Sequence, residues 1–246
     1  MNHPYTVSLF ATCLVDTLYP GTGHAVTSVL HKCGINIDCP PDQTCCGQPA
    51  FNAGYQKEAR RVARHFIEVF ENSKAIVSPS GSCVHMVRHH YPLLFKDEPS
   101  WHARATQVAA KTFEFTEFLV NRLNITDVGA HFNGTVTYHD ACHMNRGLGI
   151  TEAPRQLIQN IKGLTFKEMT PSDKCCGFGG LFSVKYPEIS QSLARDKAMR
   201  IVETGADAVV SSDVGCLMNI EGILHEMKPS IRCLHIAQLL AGDGHD

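Results

Sequence analysis

The sequence predicts an α/β protein made of two Rossmann-like units with small parallel sheets. The units should be related by pseudo-twofold symmetry, each carrying one Cys-Cys-Gly motif set. Three observations lead there. A cysteine pattern occurs twice: Cys13 matches Cys142, Cys45-Cys46-Gly47 matches Cys175-Cys176-Gly177, and Cys83 matches Cys216, at offsets of 129, 130 and 133. Strand-like segments recur at the same spacing. Amphipathic helical segments lie between them, and alternation with crossovers of this length implies parallel sheets. A chain of 246 residues suits two units of about 120.

Taken in order, residues 6–10 (TVSLF) read as a short strand ending just before Cys13, and residues 135–139 (TVTYH) as its counterpart before Cys142. Residues 34–37 and 163–166 are the second strands, and 75–78 and 208–211 the third. In 55–72, Ala59, Val62, Ala63, Phe66, Val69 and Phe70 recur at helical spacing. The equivalent stretch, 187–203, opens on Pro187 in a first-turn position and is followed by Gly205 as a C-terminal stop. Each half closes on a helix, marked by Phe115, Phe118 and Leu119 and by Ile236, Leu239 and Leu240. The first half holds about twelve additional residues before its closing helix, including Pro99-Ser100-Trp101-His102, which read as a surface insertion. The boundary falls in the polar, glycine-containing stretch 124–134, giving units 1–128 and 129–246.

Composition narrows the class. With 43% hydrophobic and 19% charged residues and a mean hydropathy of −0.10, the chain is neither disordered nor fibrous. No apolar run approaches the ~18 residues of a transmembrane helix. A net charge of −2 gives no reason to expect a nucleic-acid partner. The first sixteen residues show neither a basic n-region nor a sustained apolar h-region, so a secretory leader is not expected and the cytoplasm is. In that reducing compartment, eleven cysteines call for metal or redox chemistry, or for use as small buried apolar residues.

Eight of the eleven fall into the two matched sets, Cys13, Cys45, Cys46 and Cys83, and Cys142, Cys175, Cys176 and Cys216. All eight follow the carboxyl ends of expected strands, where open α/β sheets gather their ligands. Neither half has the short C-x2–4-C knuckle of structural zinc sites. Adjacent cysteines rarely direct both sulfurs at one small ion, whereas a cluster several ångströms across accepts them. Four thiolates is also the usual iron–sulfur count. The expectation is therefore an iron–sulfur cluster in each half, 4Fe–4S by thiolate number, with zinc in one half kept open. Packing cysteines and a vicinal disulfide switch are the non-metal alternatives. Cys33, Cys39 and Cys233 stand outside the pattern and read as ordinary buried thiols.

Gly47, Gly177, Gly179 and Gly180 would let backbone approach a cluster and aim N–H groups at its sulfurs. Gly21-Thr22-Gly23 lacks the further glycine and the acid that a dinucleotide site requires. His143, His24 and Arg146 could stand at the site mouths, tuning a cluster, donating a proton or attracting an anion.

On these residues the chain resembles the cysteine-rich CCG-domain family. To that family belong the cysteine-rich subunit of heterodisulfide reductase and the iron–sulfur subunits of glycolate oxidase and anaerobic glycerol-3-phosphate dehydrogenase. The segments TYHDACHMNRGLGITEAPRQLI, KCCGFGGLFSVKYPEIS and DVGCLMNIEG are most similar to its stand-alone, two-repeat, lactate-utilisation branch. The resemblance implies a cytoplasmic iron–sulfur subunit of an oxidoreductase complex that converts L-lactate to pyruvate. It also implies partners, a ferredoxin-like iron–sulfur protein and a further subunit, through which the chain could sit peripherally at the membrane. The heterodisulfide branch ends each motif in C-x-x-C, but here Met86 and Asn219 occupy the fifth-cysteine positions. That departure weighs against a second reading, a cluster-based thiol–disulfide reductase. A third is a non-catalytic, zinc-stabilised interaction module.

Overall fold

Two four-stranded parallel sheets form the frame of the computed structural model, which describes residues 5–242. The first holds β1 (Thr6–Leu9), β2 (Asn36–Asp38), β3 (Ile76–Ser78) and β4 (Thr112–Glu114) in the order β2-β1-β3-β4. The second holds β5 (His131–Tyr138), β6 (Lys162–Phe166), β7 (Ala208–Ser211) and β8 (Arg232–His235) in the equivalent order β6-β5-β7-β8. Every strand pairing is parallel. The two Rossmann-like units read from the repeat are therefore present, each with one strand more than expected.

The crossovers of the first sheet are α1 (Cys13–Leu18) and α2 (Pro20–Lys32), then α3 (Gln48–Asn52) and α4 (Gln56–Phe70), then α5 (Gly81–His85), α6 (Tyr91–Leu94) and α7 (Pro99–Ala110). The half closes on α8 (Phe115–Glu117), which runs into a π-helical turn over Phe118–Arg122. In the second half a π-helical turn over His143–Gly147 precedes α9 (Glu152–Gln159). It is followed by α10 (Leu181–Lys185), α11 (Pro187–Thr204), α12 (Val214–Met227) and the closing α13 (Ile236–Ala241). Pro187 opens α11 and Gly205, at φ 64°, ends it. Gly21-Thr22-Gly23 lies inside α2, so it is a helical turn and not a phosphate loop.

The fourth strands escape the sequence pattern because each is short and merges with a helix cap. Glu114, the last residue of β4, accepts hydrogen bonds from Thr116 and Glu117 N–H and caps α8. His235, the last residue of β8, accepts from Ala237 N–H and caps α13. Glu114 and His235 are both fully buried, and their capping boxes lock closing helix to sheet in the same way. The second strand starts two residues later than expected, because Gly34 (φ 76°) and Ile35 form the turn that leaves α2.

In the insertion Pro99-Ser100-Trp101-His102, Pro99, Ser100 and His102 are exposed but Trp101 is packed against the core. The segment opens α7, which buries Ala105, Val108 and Ala109. Trp101 stacks on Phe95 at 5.7 Å, with the Arg64 and Arg104 guanidiniums over its ring. An indole is too large an apolar surface to leave in water, so the additional residues form a lid on a second core around Phe10, Phe66, Phe70 and Tyr91.

The main core belongs to both halves, with Val7, Val29 and Phe118 in one cluster with Phe132, Ile158 and Leu239. Closing elements are exchanged across it: α13 packs on α2, and the Phe118–Arg122 turn packs on α9. Among the described residues no helix is long and apolar enough to cross a membrane.

Candidate metal centre

The first thiol set is assembled by three loops at the carboxyl edge of its sheet. Cys13 opens α1 immediately after Thr12, a buried non-glycine residue held at φ 74°. Such strain persists only where the surroundings fix it. The Gln43 side chain ties this loop to the next one: its amide nitrogen donates to the Leu9 and Pro40 carbonyls, and its oxygen accepts from Ala11 N–H at 2.8 Å. Cys45 and Cys46 follow, and Gly47 turns at φ 83° so that its N–H donates to the Cys45 sulfur at 3.4 Å. Cys83 lies in the first turn of α5, where its N–H donates to the capping Ser80 hydroxyl.

These thiols form a chain. Cys13 Sγ is 3.7 Å from Cys45 Sγ, Cys46 Sγ is 3.4 Å from Cys83 Sγ, and Cys45 also interacts with Cys46. Thiol hydrogen bonds from Cys13 and Cys46 pull the Cys45 pKa far down, and the bond to Cys45, followed by burial, pushes Cys13 up.

The second set repeats the chain, Cys142 to Cys175 to Cys176 to Cys216, with Cys175 pulled down by its two thiol neighbours. Gly177 (φ 82°) donates to the Cys175 sulfur at 3.3 Å. A Cβ there would lie 2.4 Å from the Ser190 carbonyl of α11, so only glycine fits. Here an ionic clamp replaces Gln43. Arg155 donates to both carboxylate oxygens of Asp140 at 3.0 and 2.8 Å, and the Ser172 hydroxyl donates to the same carboxylate at 2.6 Å.

The two fifth-cysteine positions have separate structural roles. Asn219 donates to the Cys176 carbonyl at 2.7 Å, whereas Met86 is fully buried in the second core. In the first half the matching carbonyl, that of Cys46, receives the Tyr91 hydroxyl at 2.9 Å.

Both sets open into one cavity of about 350 Å³, lined by all eight cysteines with Gln48, Phe178 and Val184 among its walls. The one-site-per-half expectation therefore becomes two donor sets facing one space. Their helix caps meet there. The Asp213 carboxylate, which caps α12, accepts from the Ser80 hydroxyl and Ser82 N–H of the first half, both at 3.1 Å. His143 lines the cavity, 3.8 Å from Cys142 Sγ and 3.4 Å from the Gln48 amide of the other half. Cys142 is pushed up by its bond to Cys175 and by burial, and the charge of Arg146 opposes this. His24 sits on α2 and does not line the cavity. None of the three unmatched thiols is fully buried: Cys33 and Cys233 are half-buried against the core and Cys39 is exposed.

Two functional candidates escape a reading of the sequence. His139 is buried with neither ring nitrogen hydrogen-bonded. Its donor atom and the sulfurs of Cys176 and Cys216 lie within 4.8 Å of one another, the only such trio among the described residues. Burial, then Lys197, holds the ring neutral, with its pKa lowered to about 3. Lys197, also fully buried, donates to the Ser172 carbonyl at 3.0 Å, and burial lowers its pKa to about 8. Aligning the two halves position by position would have exposed both.

The donor chemistry fits a thiolate-bound metal centre. A single tetrahedral ion with bonds of ~2.3 Å needs its sulfurs roughly 3.8 Å apart in every pair. The first set meets this only along its chain, since no three of its thiols share mutual 4.8 Å reach.

Comparison with known proteins agrees with the twofold repeat. The family described as "CCG: Cysteine-rich domain" matches residues 7–88 and again 136–221. A Lactate utilization protein A from Bacillus cytotoxicus is 49% identical over 234 residues, covering 95% of this chain and 98% of its own. One from Exiguobacterium is 49% identical over 236 residues, covering 95% and 96%. Among solved structures, a hypothetical protein from Helicobacter pylori matches all of this chain with a TM-score of 0.70 at 11% identity, a likeness of fold alone. This chain spans half the length of that one.

Proposed function

The chain belongs to the CCG cysteine-rich domain family, and from that premise we propose that it is an iron–sulfur electron-transfer subunit serving lactate utilisation. In this reading Cys13, Cys45, Cys46 and Cys83 hold one centre and Cys142, Cys175, Cys176 and Cys216 the other, in units 1–128 and 129–246. The observation that carries it is the chain of four thiols, built twice around one cavity. The names of the relatives supply lactate; no residue here selects a hydroxy acid.

When bound, an iron–sulfur cluster at each set would supply one-electron transfer. The chain's own residues prepare for it. Gly47 and Gly177 donate N–H groups to thiolate sulfur, which favours the reduced, more negative form. Lys197 sets an ammonium near Cys176 and offsets thiolate charge. Cys46 and Cys83, like Cys176 and Cys216, are buried away from water, while Cys13 is exposed. Partners would be a ferredoxin-like iron–sulfur protein and a further subunit of a lactate-oxidising complex in the cytoplasm, with any membrane contact made through them.

The cavity beside both Cys-Cys-Gly loops favours a second reading, cluster-based reduction of a disulfide substrate. The compact His139, Cys176 and Cys216 trio favours a third, zinc in the second half. Deleting the gene from its native host separates them. Extracts should lose L-lactate oxidation and regain it with the wild-type gene but not with Cys46→Ala plus Cys176→Ala. Undiminished lactate oxidation after deletion would refute the first reading, and disulfide turnover by the isolated, reduced chain would favour the second.

A further inference from the structure

We propose that His139 is an imidazole ligand of the second-half metal centre, a donor with no counterpart in the first half. The proposal rests on the iron–sulfur reading above and adds to it a nitrogen ligand in one half only.

The two halves can be aligned residue by residue at this point. Phe10 N–H donates to the Val77 carbonyl and His139 N–H to the Val210 carbonyl, at 2.9 and 2.8 Å. His139 thus occupies the place of Phe10, at the offset of 129 that relates Cys142 to Cys13. Behind the Cys-Cys-Gly turn, Gly47 faces the Ala59 carbonyl and Gly177 the Ser190 carbonyl, an offset of 131 that puts Lys197 at the place of Phe66. In the first half these positions hold an edge-to-face aromatic pair, Phe10 and Phe66, with ring centroids 4.8 Å apart. In the second half the same space holds an imidazole and an ammonium.

A buried imidazole with both nitrogens unsatisfied is destabilising, in a place where phenylalanine packs well in the sister half. Its protein neighbours do not relieve the cost. The Ser172 carbonyl is the one backbone group that acts on the ring, and it already accepts from Lys197 and from Asp140 N–H. What lies in reach is sulfur: Cys176 and Cys216 share the 4.8 Å sphere with the ring nitrogen. Neutral imidazole is a common metal ligand, and replacing or supplementing thiolate with imidazole raises a cluster's potential. Lys197 acts in the same direction. The second-half centre should therefore be the one that holds the electron.

The test uses full-length protein, prepared anaerobically with nitrogen-15 only in histidine and carrying Cys46→Ala, so that the second-half centre alone contributes. Pulsed EPR of the reduced protein should show a strongly coupled nitrogen-15. That coupling should vanish in His139→Phe and persist in His143→Phe, and protein carrying Cys176→Ala in place of Cys46→Ala should never show it. The labelled Cys46→Ala protein decides the matter even if His139→Phe fails to assemble. Iron at the second half without strong nitrogen coupling, or coupling that survives His139→Phe, overturns the ligand assignment and leaves the electron-transfer reading standing. Absence of iron in every preparation overturns both.

Discussion

Phe10 and Phe66 in the first half, and His139 and Lys197 in the second, fill the same volume behind the same four-thiol chain. One thiol set has an aromatic surround capped by Tyr91 and α7; the other has a buried imidazole, a buried ammonium and the Asp140–Arg155 clamp. The thiols and the positive-φ glycines are common to both halves, and what surrounds them is not. Duplication preserved the donor skeleton, while divergence acted on polarity next to it, which sets the potential of a metal centre without altering its ligand thiols.

The comparison is tested hardest by substituting its equivalent positions. Phe66→Ala should destabilise the protein by about 3–5 kcal/mol in denaturant unfolding, because it empties a packed core. Lys197→Met should change stability little, since a buried charge exchanged for an apolar side chain of similar volume is commonly neutral. It should instead lower the midpoint potential of the second-half centre alone. Equal losses of stability in the two variants would show that the surrounds do not differ as described.

The closing caps differ in the same spirit and should oppose one another with pH. Burial raises the Glu114 pKa from 4.5 to about 7, so the folded state binds the extra proton and stability falls as pH rises from about 4.5 to 7. Burial lowers the His235 pKa from 6.5 to about 4, so the unfolded state binds the extra proton and stability is lost as pH falls from about 6.5 to 4. Each contribution is on the order of 3 kcal/mol at full extent. In unfolding curves between pH 4.5 and 6.5, Glu114→Gln should steepen the rise of stability with pH, and His235→Asn should flatten it. Unchanged profiles would mean that neither group titrates in the folded interior.

The smallest effect expected is at the two carbonyl clasps. Tyr91→Phe removes the bond to the Cys46 carbonyl and Asn219→Ala the bond to the Cys176 carbonyl with a longer one to Ser190, each clasp worth about 1 kcal/mol. Each substitution should hasten air bleaching of the centre in its own half while sparing the other, and bleaching of both centres at one rate would mean that the clasps are not half-specific.

The parts of this structure legible in the sequence are those that physics repeats locally. The cysteine offsets, the alternation in 6–10 and 135–139 and the helical stripe through Ala59, Phe66 and Phe70 each stand within a short window. β4 and β8 are not legible, because three or four residues such as Thr112–Glu114 are too short for periodicity and double as helix caps. Trp101 reads from sequence as part of a surface insertion because its partners, Phe95 and Arg64, do not share a periodic segment with it. The single cavity cannot be read at all. It depends on Ser80 of one half meeting Asp213 of the other, and on α13 and α2 packing across the core, contacts that no local pattern records.

The central claim is that the two thiol sets are separate metal centres. It is tested most directly by iron, acid-labile sulfide and zinc analysis of anaerobically purified wild-type, Cys46→Ala and Cys176→Ala proteins. Iron and sulfide should be present together in the wild type and fall to about half in each variant, as expected for two four-thiolate clusters. Zinc without sulfide in the wild type, or full iron content in either variant, would contradict the account.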